Sequence, residues 1–154
     1  MKKLLLSLLL IPLLASAQDF EYIGIRAAYT HSNKSHNLGF LGISLNSFDD
    51  GSGSAGGGWD SSLPTGTTLY AGAHISSHAN MPSKVQIIPE IGAETSLTPL
   101  AIGFSVNTHC IHPRIGLSGA NLLGTYIGYS IPFREQTAFE GFTLSVVLNL
   151  FNPD

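Results

Sequence analysis

Residues 141–150 read Gly-Phe-Thr-Leu-Ser-Val-Val-Leu-Asn-Leu. Phe142, Leu144, Val146, Leu148 and Leu150 fall on one face, and Gly141, Thr143, Ser145 and Asn149 on the other; Val147 is the exception. A period of two belongs to a β-strand with two unlike faces. Seven earlier segments repeat it. Their apolar faces are Ile23-Ile25-Ala27-Tyr29, Leu41-Ile43-Leu45, Leu69-Ala71-Ala73-Ile75, Val85-Ile87-Ile91-Ala93, Leu100-Ile102-Phe104-Val106, Ile111-Ile115-Leu117 and Ile127-Tyr129-Ile131-Phe133. No helical periodicity of useful length interrupts the series. The chain is therefore expected to be all-β, with eight strands.

The second face says how those strands close. Charged residues make up 11% of the chain, against roughly 25% in ordinary soluble domains. A sheet face turned to water carries many Lys and Glu residues. Here the face opposite the apolar one is mostly Gly, Ser, Ala, Asn and Thr. Small side chains suit the crowded interior of an eight-stranded barrel. The pattern predicts a closed antiparallel up-and-down β-barrel with its apolar face outside. The same alternation also fits a soluble lipocalin-like barrel or sandwich with the apolar face inside. The few charges on the small-residue face come in both signs, Arg26 and Arg114 against Glu90 and Glu94. Buried charge persists when it is paired, so these four are expected to form a lumenal ion network, with Arg26 and Glu90 coupled.

The first residues have a different grammar. Lys2 and Lys3 precede an apolar run over residues 4–14, and Ala15-Ser16-Ala17 supplies a small-residue cleavage site. That is the layout of a secretory signal peptide over residues 1–17, leaving residues 18–154 as one domain. The run is too short to span a bilayer as a helix, which takes roughly 20 apolar residues. The whole chain carries a formal charge of −3; without the two signal lysines this becomes −5. Nucleic acid and anionic membrane surfaces need basic clusters and are not expected as partners. The single cysteine, Cys110, excludes an internal disulfide.

From Phe20 to Phe151 the alternation and the Gly-rich strands resemble small OmpA/OmpX-type outer-membrane barrels. Ile127-Gly128-Tyr129-Ser130-Ile131-Pro132-Phe133 looks like short outer-membrane proteins of Bacteroidetes. The resemblance implies an outer-membrane location, lipid as the surrounding partner, and a structural or surface-interaction role with a filled lumen. It also implies outer loops near residues 31–37, 77–83, 110–113 and 134–140. The inner turns then fall at 47–64, 95–99 and 119–123. Inner turns of such barrels are short, and the Gly/Ser-rich 47–64 segment departs from that. Such barrels usually end on an aromatic residue, whereas here Phe151 is followed by Asn152, Pro153 and Asp154.

Histidine is the most unevenly placed residue. His31, His36, His74, His78, His109 and His112 all fall near the outer ends of the expected strands. Imidazole and thiolate bind zinc or copper. His74, His109 and His112, with Cys110 and His78 nearby, are thus candidate ligands; an ordinary polar rim is the favoured account of them. No cofactor is expected. Tyr29-Thr30-His31-Ser32-Asn33, with Asn37-Leu38-Gly39 beyond, resembles the His/Ser/Asn segment of outer-membrane lipid A deacylases, which would make the chain a lipid-modifying hydrolase. In that family His and Ser are two apart on a strand. His31 and Ser32 are adjacent and should point to opposite faces, with Ser35 the only substitute and no nearby acid. Glu90 and Glu94 could act as acid and base, although the two arginines favour a structural network. Trp59 and the glycines before it lack the Lys of a phosphate-binding loop.

Overall fold

The computed structural model describes residues 20–33, 36–49, 64–78, 81–119, 121–133 and 140–152. The expected signal peptide and most of the 47–64 segment, Trp59 included, lie outside the described residues. The strands are β1 (Tyr22–Ser32), β2 (His36–Asp49), β3 (Thr65–His78), β4 (Met81–Leu97), β5 (Leu100–Asn107), β6 (Cys110–Gly119), β7 (Leu123–Pro132) and β8 (Gly141–Leu150). Each pairs antiparallel with the next, and β8 closes on β1. The fold is a closed up-and-down barrel, as the alternation predicts.

Its dimensions follow from the register. Stepping from Leu150 through Ile25, Ile43, Ala71, Ile91, Val106, Ile111 and Ile131 returns to β8 beside Glu140, ten residues from the start. A stagger of that size over eight strands tilts them by about 40°, given roughly 3.3 Å per residue and about 4.8 Å between strands. All the named steps before Glu140 are apolar and point outward, so the stagger winds an apolar row diagonally around the wall.

The two faces separate cleanly. The exposed large side chains of the wall are Ile, Leu, Val, Phe and Tyr on every strand, among them Ile23, Leu41, Ile75, Ile91, Ile102, Ile115, Ile127 and Leu144. Among the described buried residues, polar and charged side chains outnumber apolar ones. Val147, the apolar exception on β8, is buried in the lumen against Ala101 and Tyr126, with Ala28 packed beside them.

One end carries the termini, the two-residue link at 98–99, the short turn before Leu123 and the connection from Asp49 to Thr65. β2 and β3 run further than the alternation indicated, which shortens that connection to 50–64. The opposite, upper end corrects one expectation. The link between β5 and β6 is Thr108-His109, and residues 110–113 already belong to β6. Asn107 causes this: its Oδ1 accepts the N–H groups of His109 and Cys110, both at 2.8 Å, and closes the turn early. Pro113 leaves its mark inside the strand, because β6–β7 pairing lapses between Ile111 and Arg114, where proline has no N–H to give.

A narrow barrel has to alternate large and small side chains inside. Gly42 and Gly72 face each other across β2 and β3, and the Phe40 ring lies over both. A Cβ on either would meet the facing strand's backbone and that ring. Gly72→Val should therefore lower unfolding stability by about 1–3 kcal/mol, the usual cost of overpacking. The same change at outward Gly39, where a Cβ meets nothing within 4 Å, should have little effect. Denaturant unfolding of the two variants checks this.

Candidate functional site

Among the described residues charge is concentrated in the lumen, and β-strand periodicity puts it there. Glu90 and Glu94 are four apart on β4 and share the inward face; Arg26 points in from β1 and Arg114 from β6. All four are buried.

Glu94 holds the centre. One oxygen, Oε1, takes Arg26 Nη2 at 2.6 Å and Arg114 Nη2 at 2.6 Å. Those contacts tie β1, β4 and β6 together across the lumen. Arg26 also donates from Nη1 to Asn149 Oδ1 at 3.1 Å, which adds β8. Glu90 serves a second group two pleat repeats higher. His74 Nε2 lies 3.1 Å from its Oε2, and Asn107 Nδ2 donates to the same oxygen at 3.2 Å. Tyr70 joins the groups: its hydroxyl accepts from Arg114 Nη2 and donates to Glu90 Oε1 at 3.3 Å. Its ring lies under Arg26, with Cζ 4.0 Å from the centroid. Arg114 stands 5.3 Å from the Tyr70 ring and 5.2 Å from that of Tyr126. Such cation–π contacts strengthen where water is excluded.

All four residues expected to form the ion network are thus brought together, but with a different pairing. Arg26 meets Glu94, and it is linked to Glu90 indirectly, through the Tyr70 ring beneath it and through Glu94 and Arg114. Sequence reasoning singles out none of Tyr70, Tyr126 and Asn149. The available signal was position: Tyr70, Tyr126 and Asn149 occupy inward places on their strands, yet they resemble every other tyrosine and asparagine in composition.

Below the ions lies a neutral layer. Asn46 Oδ1 accepts from Thr68 Oγ1 at 2.9 Å, Asn121 Nδ2 donates to Thr68 at 2.7 Å, and Ser96 donates to Asn121 at 3.0 Å. Above them Leu38, Ile88 and Cys110 form a small buried apolar cluster.

The histidines separate. His74 is with Glu90, and His112 Nε2 lies 2.7 Å from Thr143 Oγ1 across β6 and β8. His109 sits in the β5–β6 link, half-buried. Among the described residues no group of three or more His, Cys, Asp or Glu is placed to hold a metal ion. His31 is on the outer wall, its Nδ1 2.9 Å from Asn37 Oδ1, which also accepts from the Tyr29 hydroxyl at 2.8 Å. Its neighbour Ser32 is buried inside and donates to the carbonyl of Glu140 at 3.1 Å. A base and a nucleophile on opposite faces of a strand cannot reach one substrate atom. Cys110 is a free, buried thiol, 3.4 Å from Asn107 Nδ2. The side chains of His36 and His78 lie outside the described residues.

This geometry braces the barrel. Removing one partner of a buried pair costs about 3–5 kcal/mol, because the other charge is stranded. Glu94→Gln strands two guanidinium groups and is expected to fall at the upper end of that range. In a double-mutant cycle, Arg26→Met and Glu94→Gln should couple strongly. Arg26→Met and Glu90→Gln should be closer to additive. Urea unfolding of the folded barrel measures both cycles, and stronger coupling to Glu90 would refute the pairing described.

Compared with protein-family models, with curated proteins and with solved structures, the chain gives no match.

Proposed function

We propose that this chain is a small outer-membrane barrel of the OmpA/OmpX type, exported by residues 1–17 and serving a structural or surface-interaction role. One observation carries the reading: the barrel is apolar outside and polar inside. Ile23, Ile43, Ile91, Ile102, Ile115, Ile127, Phe142 and Leu144 are all more than a third exposed. Soluble monomers rarely expose a contiguous apolar patch beyond a few hundred Å². Hydrocarbon is the solvent that matches such a wall, and a closed barrel is the β-structure that can cross it.

The rest is consistent with that medium. Strands of 8 to 11 residues form β1 and β5 to β8, and a tilted crossing takes about 9–11. Tyr29, Tyr129 and Phe142 are exposed on the upper halves of β1, β7 and β8, and Phe133 just beyond β7. The Tyr129 and Phe142 rings there pack edge to face with centroids 5.1 Å apart. Aromatic side chains favour membrane interfaces. The tight links at 98–99 and before Leu123 suit the periplasmic side, with the termini. A ligand-carrying soluble barrel would need an apolar cavity, and the lumen holds Arg26, Glu94, Arg114 and Glu90 in its place. A hydrolase would need His31 and Ser32 on one face. The role proposed is accordingly a structural or surface-interaction one: the wall meets lipid, the lumen is filled and the loop end meets other molecules.

Two measurements test it. The chain expressed with its own signal should fractionate with outer membrane as a heat-modifiable band. Leu144 and Leu150 are similarly exposed, 50% and 57%, so a barrel in water should treat Arg at either site alike. In a bilayer, Leu144→Arg near mid-strand should cost about 2–4 kcal/mol, and Leu150→Arg at the strand end only about 0–1. Equal, small costs at both positions would sink the membrane assignment.

A further inference from the structure

Backbone pairing fixes the top of the barrel on β2, β3 and β4. His36 stands opposite His78 where β2 meets β3, and His78 stands opposite Met81 where β3 meets β4. The three residues therefore occupy one register height on successive strands. Met81 is the only methionine after Met1. A register shift puts it there: Ser77 pairs with Val85, and the next step pairs His78 with Met81. An unshifted register would set Lys84 opposite His78.

Alternation assigns the face. Leu38 and Phe40 on β2, and His74 and Ser76 on β3, are buried in the lumen. His36 and His78 are in phase with them and occupy lumen-face positions. Residues directly opposite one another in an antiparallel pair share a face, which places Met81 on it as well. Cβ atoms at such opposed positions are about 4.5–5.5 Å apart. A closed barrel is concave on this side, so lumen-face positions of neighbouring strands converge. One pleat repeat below His36, Leu38 packs with Ile88 and Cys110 into an apolar floor.

Two imidazoles and a thioether make a selective donor set. Imidazole suits zinc, copper, iron and nickel, whereas a thioether selects copper(I). Zinc sites draw on Cys, His, Asp and Glu, so methionine is the donor that separates the two metals. Two histidines directly opposed repel when both are protonated; a metal shared between them takes both as neutral ligands. A polar rim accounts for the histidines. It does not account for an apolar methionine brought level with them by a register shift. His74 and His112 lie deeper and are engaged with Glu90 and Thr143.

We propose that His36, His78 and Met81 form a copper(I) site at the upper mouth of the barrel. Each strand supplies one donor: β2 gives His36, β3 gives His78 and β4 gives Met81. Sites built on strands are held more precisely than sites on loops, and here closure of the barrel holds the strand ends in register. Copper(I) is bound without change of oxidation state. The inference rests on the backbone register and goes beyond the structural role proposed above.

The test uses the folded full chain in detergent, without oxygen, titrated with copper(I) against a chromogenic copper(I) chelator and, in parallel, with zinc. A single copper(I) should bind per chain. Losing even an outer-shell partner costs a metal site about 10–100-fold in affinity, so His36→Gln, His78→Gln and Met81→Leu should each weaken copper(I) by at least about tenfold. Met81→Leu should leave zinc binding as it was, and His109→Ala and Cys110→Ser should leave copper(I) binding as it was. X-ray absorption of the copper-loaded, unsubstituted chain should show nitrogen and sulfur neighbours together, a readout that needs no variant to fold. Absence of copper(I) uptake overturns the proposal. Binding that survives any of the three substitutions overturns it too, as does binding that depends on Cys110 or an absorption spectrum without sulfur. A chain that fails to fractionate with outer membrane would sink the membrane reading and leave the copper result standing.

Discussion

When β8 pairs with β1, from Leu150–Ile25 to Thr143–Ser32, the sheet loses both of its outer edges. Closure is the constraint from which the rest follows. A sheet of eight strands with a ten-residue stagger encloses a lumen only wide enough for side chains to fill. Half of every strand must therefore point into a space that admits few large groups, which accounts for glycine beneath rings. Phe40 covers Gly42 and Gly72, Tyr70 covers Gly92, and the His112 ring covers Gly128. The other half points out, where nothing limits size, and there the large aliphatic side chains collect.

The ion network and the apolar wall together fix the register. A one-residue slip between neighbouring strands would exchange the two faces of the slipped strand. For β4 it would carry Glu90 and Glu94 onto the wall and bring Ile87 and Ile91 inside, opposite Arg26 and Arg114. Either half of that exchange is costly: charge among apolar groups outside, and guanidinium groups without a partner inside. A buried ion pair adds uncertain net stability over a packed apolar core. What it adds here is discrimination, because a one-residue slip of β4 leaves both arginines without the carboxylate they share. Glu94 Oε1 meets them from strands that do not touch one another, so the discrimination is global and not confined to one seam.

The strands and their faces were legible because their period is local: each pair of neighbouring residues reports which side is which. Even Val147, which broke the alternation, fits once Ala101 and Tyr126 make room for it across the lumen. The partners inside were less legible. Arg26 and Glu94 are 68 residues apart in sequence, and which carboxylate an arginine finds depends on heights set by a stagger summed over several seams. The sequence offered Glu90 and Glu94 as equals; the register separated them, one to the arginines and one to His74. Tyr70 escaped notice for a related reason, because its role as a bridge exists only when Arg114 and Glu90 stand on either side of its hydroxyl. The β5–β6 link was misplaced because Pro113 reads as a turn residue, whereas Asn107 closes the turn with its side chain and the strand tolerates the proline at the cost of a gap in pairing.

Asn107 also shows how the lumen and the upper rim are coupled. Its carbonyl oxygen closes the β5–β6 link, while its amide nitrogen donates to Glu90 and approaches Cys110. The residue that ends β5 is thus held by the carboxylate that also holds His74. Were Glu90 shorter, Asn107 would lose the acceptor that orients its amide, and the oxygen facing His109 and Cys110 would no longer be fixed. The short β5, whose pairing with β4 begins at Glu90–Asn107, is in this sense a consequence of the buried charge. Packing inside the barrel decides where its wall stops.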